Sequence, residues 1–285
     1  MFIKTLAPQD QLILQLVPIM AQASQILRQE YQSYCSGCEF NIQEKSDDSP
    51  VTQADLKINQ FILQQLLKIT PNLPVLSEES DYSARKTWSK CWMLDPLDGT
   101  KEFIHKRDEF TINLSLIENH QTTFAIIVVP CQQIMYVGYH AQLPYKYHFE
   151  EQVWQQYQIE RSLVQKPIQI GLSHHSKNPK YHNFIAPILE THEVECREAG
   201  SAYKFCMMLE GEIDIYPRFH PTSEWDTSSG QALLESIGGG LMTLGGKPFQ
   251  YNQRETVLNK GFIAFKDQSY KTIAYQALRQ SGLGG

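Results

Sequence analysis

TINLSLIENHQTTFAIIVVPCQQIMYVGY, residues 111–139, carries the strongest fold signal in the chain. Thr111 to Ile117, Thr122 to Val129 and Gln133 to Tyr139 are rich in β-branched and aromatic residues. The breaks between them, Glu118-Asn119-His120-Gln121 and Pro130-Cys131, are short and turn-like, which predicts antiparallel sheet. Upstream, the spacing of Leu12, Leu16, Ile19, Met20, Ala23, Ile26, Leu27, Tyr31 and Tyr34 predicts an amphipathic first helix, kinked or restarted at Pro18. A polar loop over 36–49 follows. A second helix starts at Thr52, with Asp55 at its third position as a capping-box variant, and ends before Pro71. Short strands are expected at Pro74 to Leu76 and Cys91 to Leu94.

Downstream the rhythm changes. A strand at Ile168 to Leu172 precedes a helix to His192, and another helix opens at Ser201. Strand Ile213 to Tyr216, a helix from Asp226 to Ile237, and strands Leu241 to Leu244 and Phe262 to Phe265 complete the pattern. The fold class is therefore α/β, with an α+β first half (1–164) and an α/β second half (165–285). The first half holds most of the candidate metal ligands, the second the last ligand and substrate contacts.

Composition narrows the function classes. The 285 residues are 42% hydrophobic and 20% charged, with a net charge of −6, a balance that argues against a nucleic-acid scaffold or a polybasic membrane binder, which need a basic face. An acidic chain still accepts an anionic ligand through a bound metal. Six cysteines are too few for a disulfide framework, and Cys35-Ser36-Gly37-Cys38 has no second pair to complete a zinc site. The longest purely apolar run, Phe124 to Val129, is too short to span a bilayer. The N-terminal apolar stretch is broken by Gln9, Asp10, Gln15 and Pro18, unlike a signal peptide. These features point to a cytoplasmic protein, with peripheral attachment to the cytoplasmic face of the inner membrane left open, as is the oligomeric state.

The chemistry gathers in Trp92-Met93-Leu94-Asp95-Pro96-Leu97-Asp98-Gly99-Thr100. A turn that spaces Asp95 and Asp98 three apart aims both carboxylates at one point and frees the Leu97 carbonyl. That makes an all-oxygen site suited to Mg²⁺. Gly99 and Thr100 then offer N–H groups and a hydroxyl to an adjoining anion. A lone motif of this kind is also a common solvated turn. Two further acidic clusters accompany it: Leu76-Ser77-Glu78-Glu79, taken alone an exposed acidic loop, and Glu224-Trp225-Asp226, where Asp226 taken alone reads more readily as a helix cap than as a ligand. Several carboxylate clusters without His or Cys ligands fit phosphoryl transfer at a multi-metal centre. Asp55 could pair with Thr100 to help deprotonate a water, a role compatible with capping.

Pro50-Val51-Thr52 with Asp55, Leu76-Ser77-Glu78-Glu79, Asp95-Pro96-Leu97-Asp98-Gly99-Thr100 with Phe103, and Trp225-Asp226 with Gly230 occur in that order. Together they resemble the inositol-monophosphatase superfamily of Mg²⁺-dependent, lithium-sensitive phosphatases. Gly99-Thr100-Lys101-Glu102-Phe103-Ile104, Lys204-Phe205-Cys206 and Tyr216-Pro217-Arg218-Phe219 are similar to its bacterial 3′(2′),5′-bisphosphate nucleotidase branch. The resemblance runs from the first helix to about Phe265, after an N-terminal extension. It implies a layered α/β/α/β/α fold and two or three Mg²⁺ per site, held by Glu78, Asp95, the Leu97 carbonyl, Asp98 and Asp226. It implies Asp55 and Thr100 as the water-activating pair. Beside Glu78 the adjacent Glu79, whose side chain diverges from it, is read from the residues themselves as a catalytic group that holds a water or closes the site. Substrate contacts would come from Glu78, Leu97, Asp98, Gly99, Thr100, Gly200, Ser201, Lys204, Arg218 and Asp226.

The implied reaction removes the 3′-phosphate of adenosine 3′,5′-bisphosphate, a by-product of sulfur assimilation, giving AMP. An inositol monophosphatase or sugar-bisphosphate phosphatase would keep the same chemistry. A non-catalytic phospho-ligand sensor would have no need of Asp55 with Thr100. Departures from the family pattern fall at His174-His175-Ser176, His220 and Ser228-Ser229.

Overall fold

A computed structural model describes residues 1–44, 50–159, 167–174, 176 and 178–284. In the first half the elements are β1 (Phe2–Thr5), α1 (Gln11–Cys35), β2 (Ile42–Glu44), β3 (Pro50–Thr52), α2 (Gln53–Ile69), β4 (Val75–Ser77), β5 (Lys90–Asp98), α3 (Thr100–Ile104), β6 (Thr111–Glu118), β7 (Gln121–Val129), β8 (Ile134–Tyr139), β9 (Tyr145–His148) and β10 (Val153–Tyr157). The second half adds β11 (Ile168–Leu172), α4 (Pro179–Leu189), β12 (Val194–Glu198), α5 (Tyr203–Glu210), β13 (Ile215–Arg218), β14 (Thr222–Ser223), α6 (Ser228–Glu235), β15 (Gly240–Thr243), β16 (Leu258–Asn259), β17 (Phe262–Phe265) and α7 (Gln268–Gln280).

The eight-stranded sheet runs β1-β10-β9-β8-β7-β6-β5-β4 and is antiparallel except for β4 beside β5. The five-stranded sheet runs β12-β11-β13-β17-β15. It is parallel across β12, β11 and β13 and antiparallel beyond. Period-two alternation places the layers. Trp92, Leu94, Phe124, Ile126 and Val128 pack with α1 and α2 on one face of the large sheet. Met93, Ala125, Ile127 and Val129 meet Phe205 and Met208 of α5 and Leu233 and Leu234 of α6 on the other. Tyr216, Phe262 and Ala264 close that middle core from the small sheet. Ile170, Ile215, Ile263 and Phe265 face α4 and α7. The expected α/β/α/β/α layering is what forms.

Several boundaries differ from the sequence reading. α1 begins at Gln11, capped by Asp10, whose Oδ1 accepts the Ile13 N–H at 2.9 Å, and it runs on through Pro18. The buried face on both sides of Pro18 holds the helix despite the lost hydrogen bond. Residues 2–5, within the N-terminal extension, form β1. They pair with Trp154–Tyr157 as an edge strand. Part of the polar loop expected over 36–49 forms β2, paired with β3, and 45–49 lie outside the described residues. α6 starts at Ser228 rather than Asp226, and α4 ends at Leu189 rather than His192. α5 starts at Tyr203, not Ser201. The expected boundary at 164/165 and His175 both lie outside the described residues. No described helix is long and apolar enough to cross a membrane, and all six cysteines are free thiols.

Candidate active site

The decisive local feature is β5. It does not stop at Leu94 but continues through the acidic motif to Asp98, with an irregular register against β6 between Asp95 and Asp98. The bulge lets two carboxylates three apart share one side. Asp95 Oδ1 accepts the Leu97 N–H at 3.0 Å, tying the bulge to its own first carboxylate. Gly99 follows at φ 96°, a backbone state that an L side chain resists, and starts α3.

Asp95 and Asp98 meet Asp226, from the turn ahead of α6, with one oxygen of each within 4.8 Å of the others. Asp226 Oδ2 accepts the Ser223 N–H at 2.8 Å, a local turn that aims its carboxylate at the cluster without capping the helix, since Thr227 is the N-cap. Asp98 Oδ2 accepts N–H groups from Asn113 and from the Ala202 backbone. Glu78, at the end of β4, donates its N–H to the Leu94 carbonyl at 3.1 Å and lines the same cavity.

Charge crowding follows. Burial first, then Glu78, Asp98 and Asp226, holds Asp95 well above the usual carboxylate range. Burial, then Asp98 and Glu78, does the same to Asp226. Burial lifts Asp98 to about 6 against the pull of the Ala202 N–H. Such a set is unfavourable alone and favourable around a hard cation, whose preferred ligands are oxygens. The residues present therefore fit a divalent metal.

A testable consequence concerns stability. Acids whose folded pKa is raised bind protons more tightly in the native state, so their contribution is complete below pH 4 and fades as pH rises through about 6. In chelator the Tm is expected to fall by about 5 °C between pH 5 and pH 8, and Mg²⁺ at pH 8 is expected to restore it. A Tm that rises over this range in EDTA, or ignores Mg²⁺, would contradict the assignment.

Asp55 sits 2% exposed in the first turn of α2. Its Oδ2 accepts both the Thr52 N–H at 2.8 Å and the Thr52 hydroxyl at 2.6 Å. Its Oδ1 accepts the Thr100 hydroxyl at 3.1 Å. Thr100 Oγ1 also lies 3.3 Å from the Leu97 carbonyl. Capping and pairing with Thr100 are thus both realised, on separate oxygens.

The cavity, of about 600 Å³, is lined by Glu78, Asp95, Leu97, Asp98, Gly99, Thr100, Gly200, Ser201, Arg218 and Asp226 among others. Two expected residues are elsewhere. Glu79 does not line it: adjacent side chains diverge, and its carbonyl is held by the Asn59 amide at 3.2 Å. Lys204 lies beneath the wall, 1% exposed, its ammonium on the Ala199 carbonyl at 2.7 Å and over the Tyr216 ring. Burial and Arg218 lower its pKa to about 7. In this position it braces the wall of the cavity from behind.

The exposed cation lining the cavity is Lys101, which the sequence reading left without a role. Arg218 donates to Ser173 Oγ at 2.6 Å, while its Nε is buried without a partner. Of the departures, His220 lines the cavity and Ser228 bonds Ser115 at 2.7 Å across the α6–β6 contact. Ser229 is buried with an unpartnered hydroxyl.

The model of the inositol monophosphatase family matches residues 9–282. A protein of Salmonella typhimurium, the 3′(2′),5′-bisphosphate nucleotidase CysQ, is 36% identical over 224 residues, 76% of this chain and 86% of that one. CysQ of Haemophilus influenzae is 30% identical over 266 residues, 92% and 95% of the two chains. Among solved structures, CysQ of Bacteroides thetaiotaomicron, a bacterial member of the inositol monophosphatase family, superposes with a TM-score of 0.73 at 30% identity. It covers 90% of this chain and 97% of its own.

Proposed function

The chain belongs to the inositol monophosphatase family, and we propose that it is a Mg²⁺-dependent 3′(2′),5′-bisphosphate nucleotidase converting adenosine 3′,5′-bisphosphate to AMP and phosphate. The observation that carries the reading is a single cavity joining an oxygen-ligand cluster to two cations, Lys101 and Arg218, outside that cluster. A substrate with one phosphate needs only the cluster. A second phosphate remote from the reacting one gives the cations a partner.

Glu78, Asp95, the Leu97 carbonyl, Asp98 and Asp226 would hold Mg²⁺, two or three ions per site, and the bound ions would supply the charge that steadies the attacking and leaving oxygens. The protein's own groups do the rest. Thr100 Oγ1 donates to Asp55, so as it accepts a proton from an attacking water it passes its own hydroxyl proton to the Asp55 carboxylate, the group that finally takes up the charge. Buried Asp55, fixed on both oxygens, keeps Thr100 in that orientation. Arg218 and Lys101 anchor the remote phosphate, so binding energy there positions the reacting group. The substrate and the free thiols agree with a cytoplasmic location.

A phosphate-release panel tests this. Adenosine 3′,5′-bisphosphate is expected to exceed inositol 1-phosphate by at least about a hundredfold in kcat/KM, and to exceed 3′-AMP. Arg218→Ala and Lys101→Ala should narrow the gap to 3′-AMP. EDTA should abolish turnover and lithium should inhibit it. Preference for inositol 1-phosphate would move the chain to the inositol phosphatase reading, and full turnover in chelator would remove the metal from the mechanism.

A further inference from the structure

Gly200, Ser201 and Ala202 form a turn that belongs to two structures at once. All three line the cavity, and the Ala202 N–H reaches Asp98. The turn is not a relaxed one. Ser201 adopts φ 47°, a sparsely populated state for a residue with a side chain. A Cβ on Gly200 would fall 2.2 Å from Glu102 Cγ, so the backbone there is pressed against α3. Such geometry persists only where its surroundings over-determine it.

One residue supplies two of the hydrogen bonds that hold the turn. Glu109 lies between α3 and β6, and its side chain does not line the cavity. Its Oε2 accepts the Gly200 N–H at 2.8 Å, and its backbone carbonyl accepts the Ser201 hydroxyl at 2.6 Å. Ser201 Oγ in turn accepts the Tyr203 N–H at 3.2 Å, opening α5. The same Oε2 lies 2.6 Å from His174 Nε2, on the loop after β11, and His174 Nδ1 faces Glu198 at 3.6 Å. A carboxylate from the first half thus fixes two loops of the second.

We infer that Glu109 is a positioning residue for substrate binding, holding the 200–202 turn in its strained form so that the turn can contact the bound phosphate ester. His174, one of the departures from the family pattern, is the brace that orients the Glu109 carboxylate. The inference rests on the phosphatase reading of the cavity, but not on which nucleotide fills it. Because Glu109 acts on binding through the turn, its loss should appear chiefly in KM.

Glu109→Ala, Glu109→Gln and His174→Ala are compared using whichever phosphate ester the wild type hydrolyses best, so a wrong nucleotide assignment leaves the comparison intact. Glu109→Ala is expected to raise KM by about tenfold with kcat changed less than about threefold. Glu109→Gln keeps an oxygen for both Gly200 and His174 and should recover most of that loss. His174→Ala should give a smaller rise in KM. Independently of turnover, hydrogen exchange across residues 199–203 should quicken in Glu109→Ala and not in Glu109→Gln. An unchanged KM and unchanged exchange in Glu109→Ala would overturn the inference. So would equal losses in both Glu109 variants accompanied by a global fall in Tm, which would make the carboxylate merely structural.

Discussion

Asp98→Asn is expected to lower kcat by at least about a thousandfold while leaving the metal-free protein as stable as the wild type or more so. The two halves of this expectation come from one fact. Asp98 shares its space with Asp95 and Asp226, and burial raises its pKa to about 6, so its negative charge is carried at a cost when no cation is present. The amide has the same shape. Its oxygen can still accept the Ala202 N–H, so the tie to the 200–202 turn survives. What disappears is the charge that attracts a cation and helps it offset the charge growing on the reacting phosphate. Turnover with saturating Mg²⁺, beside thermal melts in EDTA, separates the parts. A variant melting many degrees lower would show Asp98 to be a structural residue, and near wild-type turnover would exclude it as a ligand.

The same residue shows what was legible in the sequence. Asp95, Asp98, Asp55 and Thr100 could be read because each is placed by a neighbour a few positions away: a bulge, a capping box, a helix start. Local geometry follows local spacing. Lys204 could not be read this way. Its placement under the wall depends on α5 packing against β13, and a lysine in sequence gives no sign that its ammonium will be buried on a carbonyl and a ring. Glu109 and His174 went unassigned for the same reason, since they meet across 65 positions and matter only through a turn neither belongs to.

Among whole elements, the core strands of the large sheet were plain because both their faces are apolar and their turns short. α7 was missed because its buried face, Tyr270, Ala274, Ala277 and Leu278, is half alanine and makes a weak apolar stripe. β12 was missed because it is an edge strand whose residues Glu195 to Glu198 are exposed, so burial never marked them.

Asp55→Asn is expected to reduce kcat by about a hundredfold or more, with KM and Mg²⁺ dependence nearly unchanged and Tm within about 2 °C of wild type. The prediction separates two roles that the sequence left entangled. As a cap, Asp55 needs only an acceptor for the Thr52 N–H and hydroxyl, and an asparagine oxygen provides one. As partner of Thr100 it must accept the hydroxyl proton on its other oxygen. The asparagine amide nitrogen at that position donates instead, so Thr100 Oγ1 becomes the acceptor there and turns its own proton toward the Leu97 carbonyl, 3.3 Å away. With no carboxylate left to take its own proton, Thr100 can no longer accept one from water. Asp55→Ala would lose the cap as well, so Tm should fall by roughly a further 2–4 °C with no smaller loss of kcat. Thr100→Ser, which keeps the hydroxyl, should retain most activity, whereas Thr100→Ala should behave like Asp55→Asn. If Asp55→Asn turns over normally and only Asp55→Ala fails, through loss of fold, then Asp55 is a helix cap and the proton must leave the water by another group.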